Sequence, residues 1–311
     1  MAELISIDEV KFASSPSSAS EVLDRGIAFC EELEKGNILF FKKIPFEFSK
    51  EDIDFLLSQK QTGAKNRKNI AFKPNSEKIT NFIKASSKEQ QKLLEIMRSF
   101  SNSASIFLSK LLTPYAAGLR MDYASFRPFQ EEGRKLRLRA RNDLLHVDAF
   151  PTRPMNGTRI LRFFININPK ESRKWITSDP FEHLAKRFAG TKKMPFPKAA
   201  HTFSQKLSRL MKRGAKWAGF PSTLRSPYDS FMLRFHHFLK ENEEFQKNCD
   251  KDHWEFPPFS CWIVFTDQVS HAALKGQYAL EQTFLVPKSS LLNPEKAPIS
   301  ILESLSGEIM K

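Results

Sequence analysis

Apolar residues at Val22, Leu23, Ile27, Ala28 and Leu33 recur at helical spacing between Ser20 and Glu34, and a short apolar run from Asn37 to Phe41 follows them. That order predicts a helix, then a strand that turns at Pro45. Ser49, with Glu51 and Asp52 behind it, is placed to cap a second helix through Ile53 and Leu57, because acids in a first turn face the positive end of the helix dipole. The longest helical pattern runs from Lys88 to Leu112, with Leu93, Leu94, Met97, Phe100, Ala104, Phe107, Leu108 and Leu111 on one stripe, and Pro114 stops it. From Tyr123 to Ile167 the chain changes to strand-like runs. Asp179 to Phe245 is helical and mostly basic, and Trp254 to Val286 returns to strands.

Candidate chemistry sits in the two strand-rich stretches. His146-Val147-Asp148 occurs in the first and Ser270-His271, after the apolar run Trp262 to Phe265, in the second. A His-x-Asp tripeptide is weak evidence by itself, so its surroundings must carry it. In a strand, residues i and i+2 project to one face, so His146 and Asp148 can point inward together while Val147 points away. With His271 they would place two imidazoles and a carboxylate on one face of a metal ion, the set that suits non-haem Fe(II) and leaves the opposite face open. The segment around His146 and a second strand, Thr158 to Ile167, are expected to form a hairpin with a long loop through Pro151 and Gly157. Ligands on strands this far apart, with a helical segment between, predict an α+β fold: a double-stranded β-helix (jelly roll) core with N-terminal and inserted helices. We expect one elaborated domain over residues 1–311, with a flank at 1–117, core at 118–178 and 254–290, and a basic helical insert at 179–253.

Composition narrows the class. At 311 residues and 41% hydrophobic content, the chain can bury a substantial core. No apolar stretch reaches the roughly 20 residues that span a bilayer, and the N-terminus lacks a signal-peptide pattern, so a cytoplasmic protein is expected. Cys30, Cys249 and Cys261 lack metal-type spacing and read as isolated thiols, Cys261 in the core. The adjacent His236 and His237 cannot both face one metal from a helix, and we read them as surface or partner-contacting residues.

Longer strings extend the comparison. Tyr123 to Pro128, Arg139 to Pro151, Gly157 to Pro169 with Trp175, Phe265 to His271 and Leu280 to Phe284 together resemble the bacterial Kdo (3-deoxy-D-manno-oct-2-ulosonic acid) hydroxylase family. The resemblance is firm over about 120–175 and 262–287 and loose across the N-terminal and basic segments. It implies a dioxygenase that uses Fe(II), 2-oxoglutarate and O2 to hydroxylate the 3-position of Kdo in lipopolysaccharide, acting on a Kdo-lipid A precursor. Carried onto this sequence, His146, Asp148 and His271 are the metal ligands.

The far carboxylate of 2-oxoglutarate needs a cation, for which a bidentate Arg is the best geometric match. Many relatives carry that Arg about ten residues beyond the distal histidine, where this chain has Glu281, Gln282 and Thr283. Arg159 and Arg162 are the substitutes, on opposite faces of one strand, with Arg162 favoured for the interior beside Asn166 and Asn168. Asn142 is a candidate for the same co-substrate or for a turn cap. Asp267 is a candidate acceptor for a histidine ring N–H or a turn cap. Arg120, Arg127, Arg139 and Arg141 are candidates for the sugar carboxylate or for surface pairing with Glu131 and Glu132.

The formal net charge is +14. Much of it lies between His183 and Lys216, where Phe203, Leu207, Leu210, Met211 and Trp217 alternate with basic residues as in an interfacial helix. Peripheral association with the inner face of the anionic inner membrane is one expectation, and a helix docked on its own core is the other. Two rivals stand beside the hydroxylase reading: an oxygenase acting on nucleic acid, disfavoured because no aromatic-basic recognition motif is present, and a non-catalytic jelly-roll binding module. The sequence fixes no oligomeric state.

Overall fold

The computed structural model describes residues 2–7, 18–59, 69–82, 86–197 and 225–311. The basic pattern at 203–217 lies outside them. Eleven strands are described: β1 (Leu4–Ile7), β2 (Ile38–Phe41), β3 (Ile70–Lys73), β4 (Lys78–Thr80), β5 (Arg120–Arg127), β6 (Arg159–Asn166), β7 (Arg173–Pro180), β8 (Asp252–Phe256), β9 (Cys261–Phe265), β10 (Val269–Lys275) and β11 (Ala279–Val286). They form an eight-stranded sheet in the order β1-β2-β9-β6-β11-β5-β3-β4 and a three-stranded sheet in the order β10-β7-β8. The jelly-roll core is the middle of the large sheet with the small sheet against it. The N-terminal flank does more than cover this core, because its strands extend the large sheet at both ends.

β6 illustrates the layering. Leu161, Phe163 and Ile165 face the helices of the N-terminal flank, while Arg162, Phe164 and Asn166 face the small sheet, as a period of two requires. On the helical side, α1 (Ala19–Lys35), α2 (Lys50–Ser58) and α3 (Ser87–Leu111) begin at Ser18, Ser49 and Ser86, whose hydroxyls each accept a hydrogen bond from an early backbone N–H. α1 ends at Gly36, whose φ of 96° suits a residue without Cβ. Phe163 sits among Phe46, Phe100 and Phe107 at centroid distances of 6.1, 6.5 and 5.7 Å. Between the sheets, Trp262 stacks on Phe256 at 3.8 Å and meets Trp175 edge-on at 5.5 Å. β9 is therefore covered on both faces, which is why its sequence is an unbroken apolar run and not an alternating one.

The expected hairpin between the His146 segment and β6 does not form. β6 pairs with β9 and β11. The His146 segment instead lies on the free edge of β10, where His146 and His271 exchange backbone hydrogen bonds of 3.1 and 2.9 Å and Ala273 donates to the Asn142 carbonyl at 2.8 Å. The long excursion from Phe150 to Thr158 carries the chain from one sheet to the other, so the two segments cannot be neighbours.

The insert contributes α4 (Phe181–Phe188), α5 (Pro227–Glu241) and α6 (Glu243–Asn248), and α7 (Pro298–Ser306) follows β11. Two devices fix α5. Asp229 in its first turn accepts from the Met155 N–H at 2.6 Å and from the Asn156 N–H at 3.2 Å. At the other end, Gln246 on α6 accepts from the Leu145 N–H at 3.0 Å and donates to the Leu145 carbonyl at 2.9 Å. The outer edge of the His146 segment, which would otherwise offer unpaired backbone groups, is thereby satisfied.

The Phe163 environment sets an expectation for stability. Phe163→Ala should lower the unfolding free energy by about 3–5 kcal/mol, since the sheet and α3 cannot collapse onto the space left. Ile106→Ala, on the exposed face of α3 at 59% exposure, should change it by less than about 0.5 kcal/mol. Urea denaturation of both variants checks the pair.

Candidate metal centre

His146 and Asp148 reach the same side of their segment, and Val147 between them is fully buried in the core on the other. The His146 ring donates from Nδ1 to the Leu144 carbonyl at 2.7 Å, because a carbonyl can only accept. His271 does the same to Val269 at 3.1 Å, and His236, on α5, to Val147 at 2.8 Å. All three rings are thus held as the tautomer with a bare Nε2, the form a metal takes. The His271 ring lies 4.7 Å from that of His146 and stacks on Trp175, and the His236 ring lies 4.8 Å from His146 on another side. Among the described residues, ligand atoms of His146, Asp148 and His236 lie within 4.8 Å of one another.

The reading of His236 as a surface residue is therefore corrected. Adjacent helical residues point about 100° apart, so only His236 meets the His146 ring, while His237 borders the same cavity farther out. The overlooked signal is Met232, His236 and Lys240, spaced four apart on one face of α5.

Burial and the neighbouring charges keep the candidate ligands in the forms that can donate to a metal. Burial, then the nearby Lys240, pushes the His146 imidazolium well below the usual range, and burial followed by Lys240 takes His236 to about 3. His271 is lowered mainly by burial. The rings are therefore neutral donors. For Asp148, burial would raise the carboxyl, but Arg162, His271 and His146 together hold it well below the ordinary carboxylate range. Arg162 Nε lies 2.9 Å from Asp148 Oδ2, yet the angle is poor and neither atom completes a hydrogen bond. A buried carboxylate oxygen left without an aligned donor fits a metal ligand. The residues present thus suit a bound Fe(II).

A cavity of about 400 Å³ opens above these groups. Its floor is an ionic relay. Arg162 reaches Glu281 at 2.9 Å, and Glu281 also accepts from Arg127 at 3.3 Å, Ser125 at 2.8 Å and Thr283 at 2.6 Å. Arg127 continues to Glu131, which holds Arg134 and Arg173 as well. Glu281, which stands where many relatives place an arginine, gathers two arginines from the flanking strands β5 and β6. The mouth holds Arg139, paired with Glu241 at 2.5 Å, and Arg153, set between the Tyr123 and Phe150 rings at 4.0 and 4.2 Å. Arg153, Lys240 and Tyr123 also line the cavity and went unnoticed in the sequence.

Other sequence candidates fall elsewhere. Arg159 is fully buried on the opposite face of β6, bonded to Asp267 at 2.9 and 3.1 Å and to Gln268 at 3.0 Å, so it does not line the cavity. The same pair occupies Asp267, which meets no histidine ring: each ring N–H uses a backbone carbonyl instead. Arg120 is exposed at the outer end of β5, and Arg141 forms a two-point pair with Asp143 at 2.9 and 2.6 Å. Neither lines the cavity. Asn142 does, with its amide 3.4 Å from Glu131.

A family model described as 3-deoxy-D-manno-oct-2-ulosonic acid (Kdo) hydroxylase matches residues 17–309. The chain belongs to the Kdo hydroxylase family. Among solved structures, the apo form of the Kdo hydroxylase KdoO, a non-haem Fe(II) α-ketoglutarate-dependent dioxygenase, is 33% identical with a TM-score of 0.81, covering 99% of this chain and 97% of that one. The same enzyme with cobalt(II) is 34% identical, with the same TM-score and coverage. Its complex with α-ketoglutarate and Fe(III) is 33% identical at a TM-score of 0.80, again covering 99% and 97%. A search of curated proteins gives no match.

The Arg159 pair gives a second expectation. Arg159→Ala leaves the Asp267 carboxyl buried without its partner, and should lower unfolding stability by about 3–5 kcal/mol. Thermal and urea unfolding of this variant against Arg120→Ala, expected within about 0.5 kcal/mol, measures it.

Proposed function

We propose that this protein is an Fe(II)- and 2-oxoglutarate-dependent dioxygenase that hydroxylates Kdo on a lipid A precursor, at the 3-position of the sugar. The convergence of neutral imidazoles and Asp148 at the base of a basic cavity, in a chain of this family, carries the reading.

His146 and Asp148 supply two ligands. Since three positions on the ion must stay open for co-substrate and oxygen, only one further histidine can be a permanent ligand. We assign it to His271, whose place is set by the strand register opposite His146 and whose ring is held by Val269 and Trp175. His236, whose ligand atom lies within 4.8 Å of those of His146 and Asp148, would then stand beside the ion without being a permanent ligand. The bound iron and 2-oxoglutarate together supply oxidation of an unactivated C–H bond. The chain's own groups position and shield. Arg162 and Arg127, drawn together by Glu281, face the far carboxylate of 2-oxoglutarate, and the relay has four guanidiniums against three carboxylates, which leaves positive charge for an anion. Trp175 and Phe164 close the floor against water. Asn142 stands beside this group, and Arg139 at the mouth faces the incoming glycolipid.

Among the described residues no helix is long and apolar enough to cross a membrane. The net charge of +14 supports peripheral association with the anionic inner face of the inner membrane, where each engaged cation contributes about 1 kcal/mol.

Mass spectrometry of Kdo-lipid A incubated with protein, Fe(II), ascorbate and 2-oxoglutarate should show a gain of one oxygen that EDTA abolishes and excess Fe(II) restores. His146→Ala and Asp148→Ala should each reduce the yield at least a hundredfold, and unchanged lipid with the wild type would refute the reading. For the ligand assignment, His271→Ala should weaken Fe(II) binding by more than His236→Ala does, by a factor of at least ten. The reverse order in an anaerobic titration would transfer the third ligand to His236.

A further inference from the structure

Lys240 is the one side chain in the cavity whose charge the surrounding protein leaves unanswered among the described residues. It is 4% exposed, and its ammonium carries three donors. One of them reaches the Arg139 carbonyl at 3.2 Å, which is its only hydrogen bond in the described structure. The carboxylates that act on it, Asp148 and Asp143, do so from beyond ion-pairing distance, and burial takes its pKa down to about 8. Every arginine on the cavity floor, by contrast, has a carboxylate within reach. A buried ammonium with a single backbone partner is costly unless something arrives to pair with it.

Its position says what that is. Lys240 and His236 lie one turn apart on the same face of α5, a separation of about 5–6 Å between Cβ atoms. Lys240 therefore lines the same cavity as His146, Asp148 and His236, together with Arg127, Arg162 and Glu281 from β5, β6 and β11. In Kdo the carboxylate carbon is two bonds from the carbon to be hydroxylated, each bond about 1.5 Å. A carboxylate held by Lys240 brings that carbon to the metal side of the cavity and leaves the floor arginines for 2-oxoglutarate.

We infer that Lys240 binds the carboxylate of the Kdo residue and fixes which carbon of the sugar faces the metal. This assignment rests on the proposed hydroxylase function and adds the specificity-determining contact to it. The substrate class follows: a glycolipid whose target sugar carries a free carboxylate next to its anomeric carbon, whereas a neutral sugar leaves the ammonium buried and unpaired.

The experiment compares Kdo-lipid A with the same lipid carrying a methyl ester on the Kdo carboxylate, using wild type, Lys240→Met and Lys240→Arg. The wild type and the arginine variant should disfavour the ester by at least tenfold in kcat/KM. The methionine variant should raise the KM for the acid at least tenfold and treat acid and ester alike to within twofold, while the Kd for 2-oxoglutarate, read from the charge-transfer absorbance of the anaerobic Fe(II) complex, stays within twofold. Lys240→Gln provides the same comparison if the methionine variant does not form that complex. A cation-free variant that keeps the preference for the acid overturns the inference alone, as does a rise in the 2-oxoglutarate Kd matching the rise in KM. A wild type that transfers no oxygen to Kdo-lipid A overturns the hydroxylase reading, and the inference with it.

Discussion

The reciprocal backbone hydrogen bonds between His146 and His271 are the constraint on which the site depends. They bring together parts of the chain separated by more than a hundred residues and set their register. A shift of one residue would turn every side chain of the shorter segment to the other face, and Val147 would replace both His146 and Asp148 in the cavity. The short segment makes few bonds of its own. It holds this register because β10 satisfies one edge and Gln246 with His236 satisfies the other.

Around this pairing the protein arranges opposed electrostatic surroundings. The imidazoles are kept neutral by burial and by the cations near them, and Asp148 is kept ionised by Arg162. The same Arg162 belongs to a relay through Glu281 and Arg127 to Glu131 and Arg173, so the charge of the metal site and the charge of the cavity floor are not independent. Removing Glu281 would set two buried guanidiniums against each other. Its tie to both of them keeps the two arginines side by side beneath the cavity.

Much of the fold could be read from the sequence because its elements obey simple periods. The long stripe from Leu93 to Leu111 became α3 within one residue at each end of the expected span, and the serine cap at Ser49 fell where a helix begins. Strand partners were harder, since pairing depends on which sheet a loop leads into and not on the strand's own pattern, and the supposed hairpin after His146 failed for that reason. The shared face of His146 and Asp148 was legible from their spacing, and Arg162 does line the cavity, but its neighbours are no guide to that, because Asn166 and Asn168 bond to backbone groups away from it. His236 was missed because an adjacent His pair was judged as a unit when only one member's direction mattered. Lys240 carried no signal of its own in the sequence, and only the packing of α5 buries it.

The anchoring of α5 has a mechanical corollary. Its first turn is bonded to the loop after Asp148 through Met155 and Asn156, and the next helix, α6, grips the backbone at Leu145. α5 and α6 are therefore each tied to the segment whose side chains α5 faces, so the stretch of polypeptide from Leu145 to Asn156 and these two helices behave as one bracket. Substitutions on the solvent face of α5 can accumulate without disturbing the alignment of the groups it presents to the cavity, provided those two ties remain.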